Sequence, residues 1–329
     1  VNTLYDDSIE EKLDRDKAYH EHMKMMYEKY DGNHEVAAFY ALSVLGASPE
    51  RDADTYGKGA VVAKGILAEN PTHPGALHYL IHSYDDPEHA HLALDAANNY
   101  SKVAADAGHA LHMPSHIYVA LGMWDEVISS NIASYNASDE RRLRLELEPD
   151  TRNYHALEWL MYGCLQKGNT DTARTLLNDM LVYMDEKSSP RARGYALQML
   201  GGYLANTGQW EDQLATTEID VSDLNVVFQG LSGFVAGMHA YSTGDLATLE
   251  NVIDTLQDKR LKEGKLLMQR GSKMCSGLSW FTQLPTQTEI NHTHIMEMEL
   301  RAMHAMANED TETAKEWLQK ATELEDNTS

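Results

Sequence analysis

Apolar residues recur along this chain every three to four positions, with few prolines and few alternating β-branched runs, so the pattern predicts helices almost throughout. Several segments share one grammar. An apolar helix ends in Gly or Asn, a short turn carries Asp, Thr or Trp, and a second helix with small residues follows. Tyr118-Val-Ala-Leu-Gly-Met-Trp-Asp-Glu-Val, Tyr162-Gly-Cys-Leu-Gln-Lys-Gly-Asn-Thr-Asp-Thr-Ala and Tyr203-Leu-Ala-Asn-Thr-Gly-Gln-Trp-Glu-Asp-Gln-Leu follow it, as do Tyr241-Ser-Thr-Gly-Asp-Leu-Ala-Thr-Leu and Met306-Ala-Asn-Glu-Asp-Thr-Glu-Thr-Ala. Gly122, Gly168, Gly208 and Gly244 stand 46, 40 and 36 residues apart, the spacing of an α-solenoid. A single helix pair of this kind cannot bury its own apolar face and must stack on the next.

This grammar resembles the tetratricopeptide repeat over most of residues 30 to 325, with Asp310-Thr-Glu-Thr-Ala-Lys-Glu-Trp-Leu-Gln-Lys-Ala as the clearest second helix. The individual repeats are degenerate and unequal in length. The resemblance implies an all-α fold, an α-solenoid of tetratricopeptide-like helix pairs forming a right-handed superhelix with a concave groove. Within one solenoid domain over 1–329, an N-terminal helix occupies 1–30, His-rich repeats 31–135, middle repeats 136–255, and an irregular pair with a C-terminal repeat 256–329. The charged run from Ser138 to Asp150 is expected to lengthen a helix or to form a loop. Repeat architecture implies no reaction.

Charge narrows the partners. The chain of 329 residues carries 51 acidic against 27 basic side chains, a net charge of −24, which repels nucleic-acid phosphates and anionic membranes. Neither is an expected partner. The acidity is spread along the chain and reads first as solvation, although it also raises the local cation concentration. Cys164 and Cys275 are too few for a disulfide framework and too far apart for a CxxC motif, so they leave the compartment open. No run of about 18 apolar residues predicts a membrane span. The start at Val1 fits a removed signal peptide and a trimmed chain equally, so periplasmic, secreted and cytoplasmic locations all stay open, as does the oligomeric state.

Eight of the sixteen histidines fall between His73 and His116, in the blocks His73-Pro-Gly-Ala-Leu-His78-Tyr-Leu-Ile-His82 and His109-Ala-Leu-His112-Met-Pro-Ser-His116. Pro74 suits the first position of a helix running to about Tyr84, which puts His78 and His82 one turn apart on one face. A second helix is expected from an Asp106 cap to Leu121. It carries His109, His112 and His116 as a stripe, and Pro114 should bend it by removing the bond to the Ala110 carbonyl. Both blocks are first helices of consecutive pairs, so their imidazoles should face one another. His155, on the next such helix, and Glu35, on an earlier one, are candidates to handle protons. His89 and His91 alternate across the intervening return helix and read as peripheral.

Six imidazoles, from His73, His78, His82, His109, His112 and His116, exceed the four ligands of a structural zinc site. Either some support the others, or two ions are held three-plus-three. Imidazole-rich shells suit copper or zinc, with iron also compatible, rather than calcium or magnesium. Met23 and Met26, in His20-Glu-His-Met-Lys-Met-Met, read as core contacts before they read as a soft copper site.

The paired blocks resemble the signature of a widespread bacterial group of tetratricopeptide-like proteins whose members generally carry no assigned reaction. The resemblance covers roughly residues 20 to 215 and includes Phe39-Tyr40-Ala-Leu, the Gly122-x-Trp124-Asp turn with Asn131, and His155-Ala-Leu. Glu158 departs from it, standing where the group is expected to have Asp. The resemblance implies a common site and names no substrate.

Two function classes follow. In one, the chain is a metal-dependent enzyme, an oxidoreductase or a hydrolase, with its site in the solenoid groove. In the other, it is a scaffold that holds a peptide or small molecule in that groove, or a metal storage or delivery protein. No nucleophile elbow, phosphate loop or paired-carboxylate motif competes with these readings.

Overall fold

Turn chemistry decides where each helix of this chain begins and ends, and the computed structural model describes it over residues 3–6, 8–9, 11–48, 53–269 and 285–328. Among these residues every regular element is a helix. The chain divides into two compact units, Val1–Leu147 and Glu148–Ser329.

The first unit contains α1 (Lys12–Lys29), α2 (His34–Gly46), α3 (Ala53–Glu69), α4 (Pro74–Ser83), α5 (Leu94–Val103), α6 (Gly108–His112), α7 (Pro114–Ala120) and α8 (Trp124–Arg144). From α1 to α5 each helix packs on its successor, while α2 also meets α4, α5 meets α7, and α8 packs on α6 and α7. The core between them is built largely from alanines, with Ala60, Ala63, Ala76, Ala90, Ala93 and Ala97 fully buried. Such short side chains let helix axes approach closely, and Ile81, Met113 and Ile117 fill the remaining space.

The second unit contains α9 (Tyr154–Gln166), α10 (Thr170–Glu186), α11 (Pro190–Thr207), α12 (Val226–Thr243), α13 (Leu246–Gln269), α14 (Gln287–Ala307) and α15 (Thr311–Asp326). Here too each helix packs on its successor, with α9 also on α11 and α12 also on α14. Polar caps start many of these helices. The Asn153, Asn169 and Asn225 side chains each accept from a backbone N–H three residues on, and Thr286 with Glu289 forms a reciprocal capping box.

The glycine spacing has a direct conformational cause. Gly122, Gly168, Gly208 and Gly244 adopt φ of 68°, 72°, 67° and 77°, the left-handed conformation that closes a helix before its partner returns. In the last repeat Glu309 takes that role at φ 61°, where glycine would meet no Cβ penalty.

Several local expectations are corrected. The return helix α5 starts only at Leu94, because Asp86 accepts from the N–H groups of Glu88 and His89 and a short 3₁₀ turn, Ala90–Ala93, intervenes. His89 and His91 therefore precede the helix. Asp106 does not cap the second histidine helix, which begins at Gly108 after Ala107. Gly108 lies against α8, where Ser134 Oγ donates to its carbonyl at 2.6 Å and a methyl group would overlap the Ser138 hydroxyl, so close packing sets this start. The charged run after Ser138 does lengthen a helix, since α8 continues to Arg144. The poorly matching stretch from Leu256 begins inside α13, which runs unbroken to Gln269, and Cys275 lies outside the described residues.

Candidate metal centre

Five of the six predicted ligands form one continuous row of imidazoles in the first unit. The ring centroids of His109 and His78 are 5.0 Å apart, those of His78 and His82 4.7 Å, of His82 and His116 6.3 Å, and of His116 and His112 5.1 Å. The row runs from exposed His109 inward to buried His112. Helix α4 supplies His78 and His82, α6 supplies His109 and His112, and α7 supplies His116.

Pro114 divides α6 from α7. Met113 keeps helical dihedrals of −51° and −37° at the junction, while Pro114 has no N–H to donate to the Ala110 carbonyl. Across this break a ring nitrogen of His112 and one of His116 lie within 4.8 Å of each other.

The closest approach is between His78 Nε2 and His109 Nε2, at 3.2 Å. Two nitrogens bound to one tetrahedral ion at about 2.0–2.1 Å would stand about 3.3 Å apart, so the observed spacing matches a shared cation. Without an ion, one of the two must carry the proton and donate to the other.

Two outer contacts set the imidazole tautomers. His116 Nδ1 lies 2.9 Å from Asp85 Oδ2, and His112 Nδ1 lies 2.7 Å from Asn131 Oδ1, while the Asn131 amide nitrogen donates to the Val127 carbonyl. Both acceptors place the hydrogen on Nδ1 and leave Nε2 with its lone pair. A carboxylate or amide oxygen behind a histidine is a usual way to orient a metal ligand and raise its basicity.

Burial disfavours the charged form of His78 and His109. Desolvation, reinforced by His82, His109 and His116, pushes the pKa of His78 from 6.5 to about 3, and desolvation with the His116 charge lowers that of His109. Tyr100 stacks on His78 at 5.3 Å and 16°, which accounts for part of that desolvation. Neutral imidazole is the form that binds metal. Because the folded pKa of His78 lies below its unfolded value, its stabilising contribution is complete above about pH 6.5 and fades as the pH falls toward about 3. In chelator, the melting temperature should therefore drop between about pH 6.5 and about pH 5 more steeply for the native chain than for His78→Gln. Parallel curves would contradict the assigned shift.

His73 stands apart from the row. It is the N-cap of α4, with Nδ1 accepting from the Ala76 N–H at 3.2 Å. An imidazole that accepts at Nδ1 carries its hydrogen on Nε2, so neutral His73 has no spare lone pair for a metal. That buried Nε2 faces Glu35 Oε1 at 3.4 Å. Glu35 itself is 77% exposed, in the first turn of α2.

No protein-family model matches the chain, and no curated protein matches it. Among solved structures it is similar to two monomeric mutants of IFIT1, one with m7Gppp-AAAA and one with Gppp-AAAA. Each shares 10% identity at a TM-score of 0.37, over 95% of this chain and 77% of the other.

His155 belongs to the second unit. On α9 its ring meets Trp159 edge-on at 5.6 Å, and its Nδ1 lies 3.9 Å from Glu158 Oε2. Burial raises the Glu158 pKa to about 7. Asp85 carries no motif of its own in the sequence, and its position just after the His82 helix is the one local signal for it. Asn131 was visible only as a feature of the resembled group.

Proposed function

We propose that the first unit binds a transition metal, with ligands drawn from His78, His82, His109, His112 and His116 and with Asp85 and Asn131 orienting two of them. The observation that carries this reading is the 3.2 Å approach of His78 Nε2 to His109 Nε2. Copper or zinc suits an all-imidazole set, with iron also compatible, and five rings are enough for one ion with supporting residues or for two. His73 leaves the proposed ligand set because its own capping bond occupies it.

A metal-dependent enzyme, hydrolase or oxidoreductase, is the function that best uses such a site. Exposed His109 leaves one end of the row open, and an open position is what separates catalytic from closed structural zinc sites. When bound, the metal would supply water activation if zinc, or oxygen chemistry if copper or iron. Glu35, with the His73 N–H facing it, is the proposed proton-handling group. We read the chain as a member of the tetratricopeptide-like bacterial group that its paired histidine motifs resemble. A storage or delivery role is the second reading, favoured by the row itself, whose imidazoles lead from surface to interior.

Elemental analysis of protein purified without a histidine tag tests the site directly, and stoichiometric copper, zinc or iron is expected. Asp85→Asn should weaken metal affinity by about 10- to 100-fold, the usual effect of losing an orienting partner, without changing helicity. Absence of bound metal after incubation with each ion, or an unchanged affinity in Asp85→Asn, would reject the assignment.

A further inference from the structure

Hydrogen bonds orient two imidazoles of the row, and aromatic rings orient a third. Asp85 stands against His116 Nδ1 and Asn131 against His112 Nδ1. Among the described residues no oxygen takes that place for His78. Two tyrosine rings lie nearly parallel to its imidazole instead, Tyr79 with centroids 5.4 Å apart at 26° and Tyr100 at 5.3 Å and 16°.

Both tyrosines are themselves held by packing. Tyr100 is 7% exposed within the alanine-rich core, and Tyr79 packs against the same core from α4. The edge of the Tyr79 ring lies over Gly75, where a Cβ would stand 3.4 Å from Cε2. The χ2 torsion of a histidine is soft, so an unsupported imidazole swings its Nε2 through an arc. Stacking between offset rings at these distances is attractive and confines that swing. With the His78 plane held, the edge-on approach of His109, at 76°, sets the two Nε2 atoms 3.2 Å apart.

That spacing discriminates between coordination geometries. Metal–nitrogen bonds of about 2.0–2.1 Å put two nitrogens about 3.3 Å apart at a tetrahedral angle and about 2.9 Å apart at the right angle of a square-planar site. We propose that Tyr79 and Tyr100 are positioning residues that hold His78 at the wider spacing and thereby select a tetrahedral ion, zinc, over nickel, which favours square-planar nitrogen sites. These roles rest on the metal centre proposed above and add to it the residues that discriminate between ions. The ring faces do this, so the hydroxyl groups are dispensable.

The test is calorimetric titration of the metal-free full chain with zinc and with nickel, in the native protein and in Tyr100→Leu, Tyr100→Phe and Tyr79→Leu. Tyr100→Leu should reduce the preference for zinc over nickel by about tenfold, the size of one stacked pair, and Tyr100→Phe should keep the native preference because the ring remains. Tyr79→Leu, at a partly buried position, should act in the same direction, and it decides the matter where Tyr100→Leu fails to fold. In the metal-free protein, a nuclear Overhauser contact between the rings of residues 78 and 100 is expected for the native chain and for Tyr100→Phe. A native chain that binds zinc while folded leucine variants keep its selectivity, or a Tyr100→Phe variant that loses selectivity as Tyr100→Leu does, would overturn the positioning role and leave the metal centre standing. Binding of neither ion by the native chain would remove the centre and this role together.

Discussion

Replacing His78 and His109 together with alanine is expected to lower the affinity of the first unit for zinc or copper by more than about 100-fold, the upper range for losing only an orienting partner. The two nitrogens at 3.2 Å are the pair best placed to share an ion. Truncating both removes two proposed ligands and the outer end of the row. The fold should survive, because His109 is exposed and the unit is held together by an alanine-rich core that these rings do not form. Far-ultraviolet circular dichroism should therefore stay unchanged while calorimetric metal binding disappears. Retained tight binding in the double variant would remove His78 and His109 from the centre, whatever the other imidazoles do. A His82→Ala/His116→Ala pair, at the inner part of the row, should have a comparable effect on affinity.

The largest stability effect belongs to the second unit. Glu297 is 2% exposed and accepts from Arg260 Nε at 2.8 Å and from Arg301 Nε at 2.9 Å. Its carboxylate is the shared counter-charge of two mostly buried guanidinium groups, one on α13 and one a turn further along α14. Removing it leaves two mostly buried like charges without their shared counter-charge. Glu297→Ala should cost about 3–5 kcal/mol, the range for breaking a buried ion pair from one side. The corresponding fall in melting temperature is on the order of ten degrees. Replacing all three residues with methionine should recover much of the loss, because no buried charge then remains. A Glu297→Ala protein that unfolds within about 1 kcal/mol of the native chain would show that the guanidinium groups find water or other partners.

These two sites differ in how visible they were before the fold was known. The imidazole stripes were legible because helical periodicity is local: His78 and His82, or His112 and His116, share a face whenever their segments are helical. That Pro114 would interrupt the hydrogen bonding of the second stripe was also readable from backbone chemistry. Arg260, Glu297 and Arg301 carried no such signal. Their charges look like ordinary solvated helix positions until α13 and α14 are packed together.

His73 shows the opposite case. It sits in the densest histidine block, which suggested a ligand, while its place just before Pro74 at the helix start is the N-cap position. Local capping geometry instead engages its Nδ1 and turns Nε2 toward Glu35.

By itself, the order of residues determined the helical class, the left-handed turns at Gly122, Gly168, Gly208 and Gly244, and the two rows of imidazoles, since each depends on backbone conformation and spacing within a few residues. Only tertiary structure decided which rings meet and that Asp85 and Asn131 stand behind His116 and His112. Contacts between distant segments depend on how helices stack. Stacking is set by the summed shape of many small buried side chains, and no short motif records it.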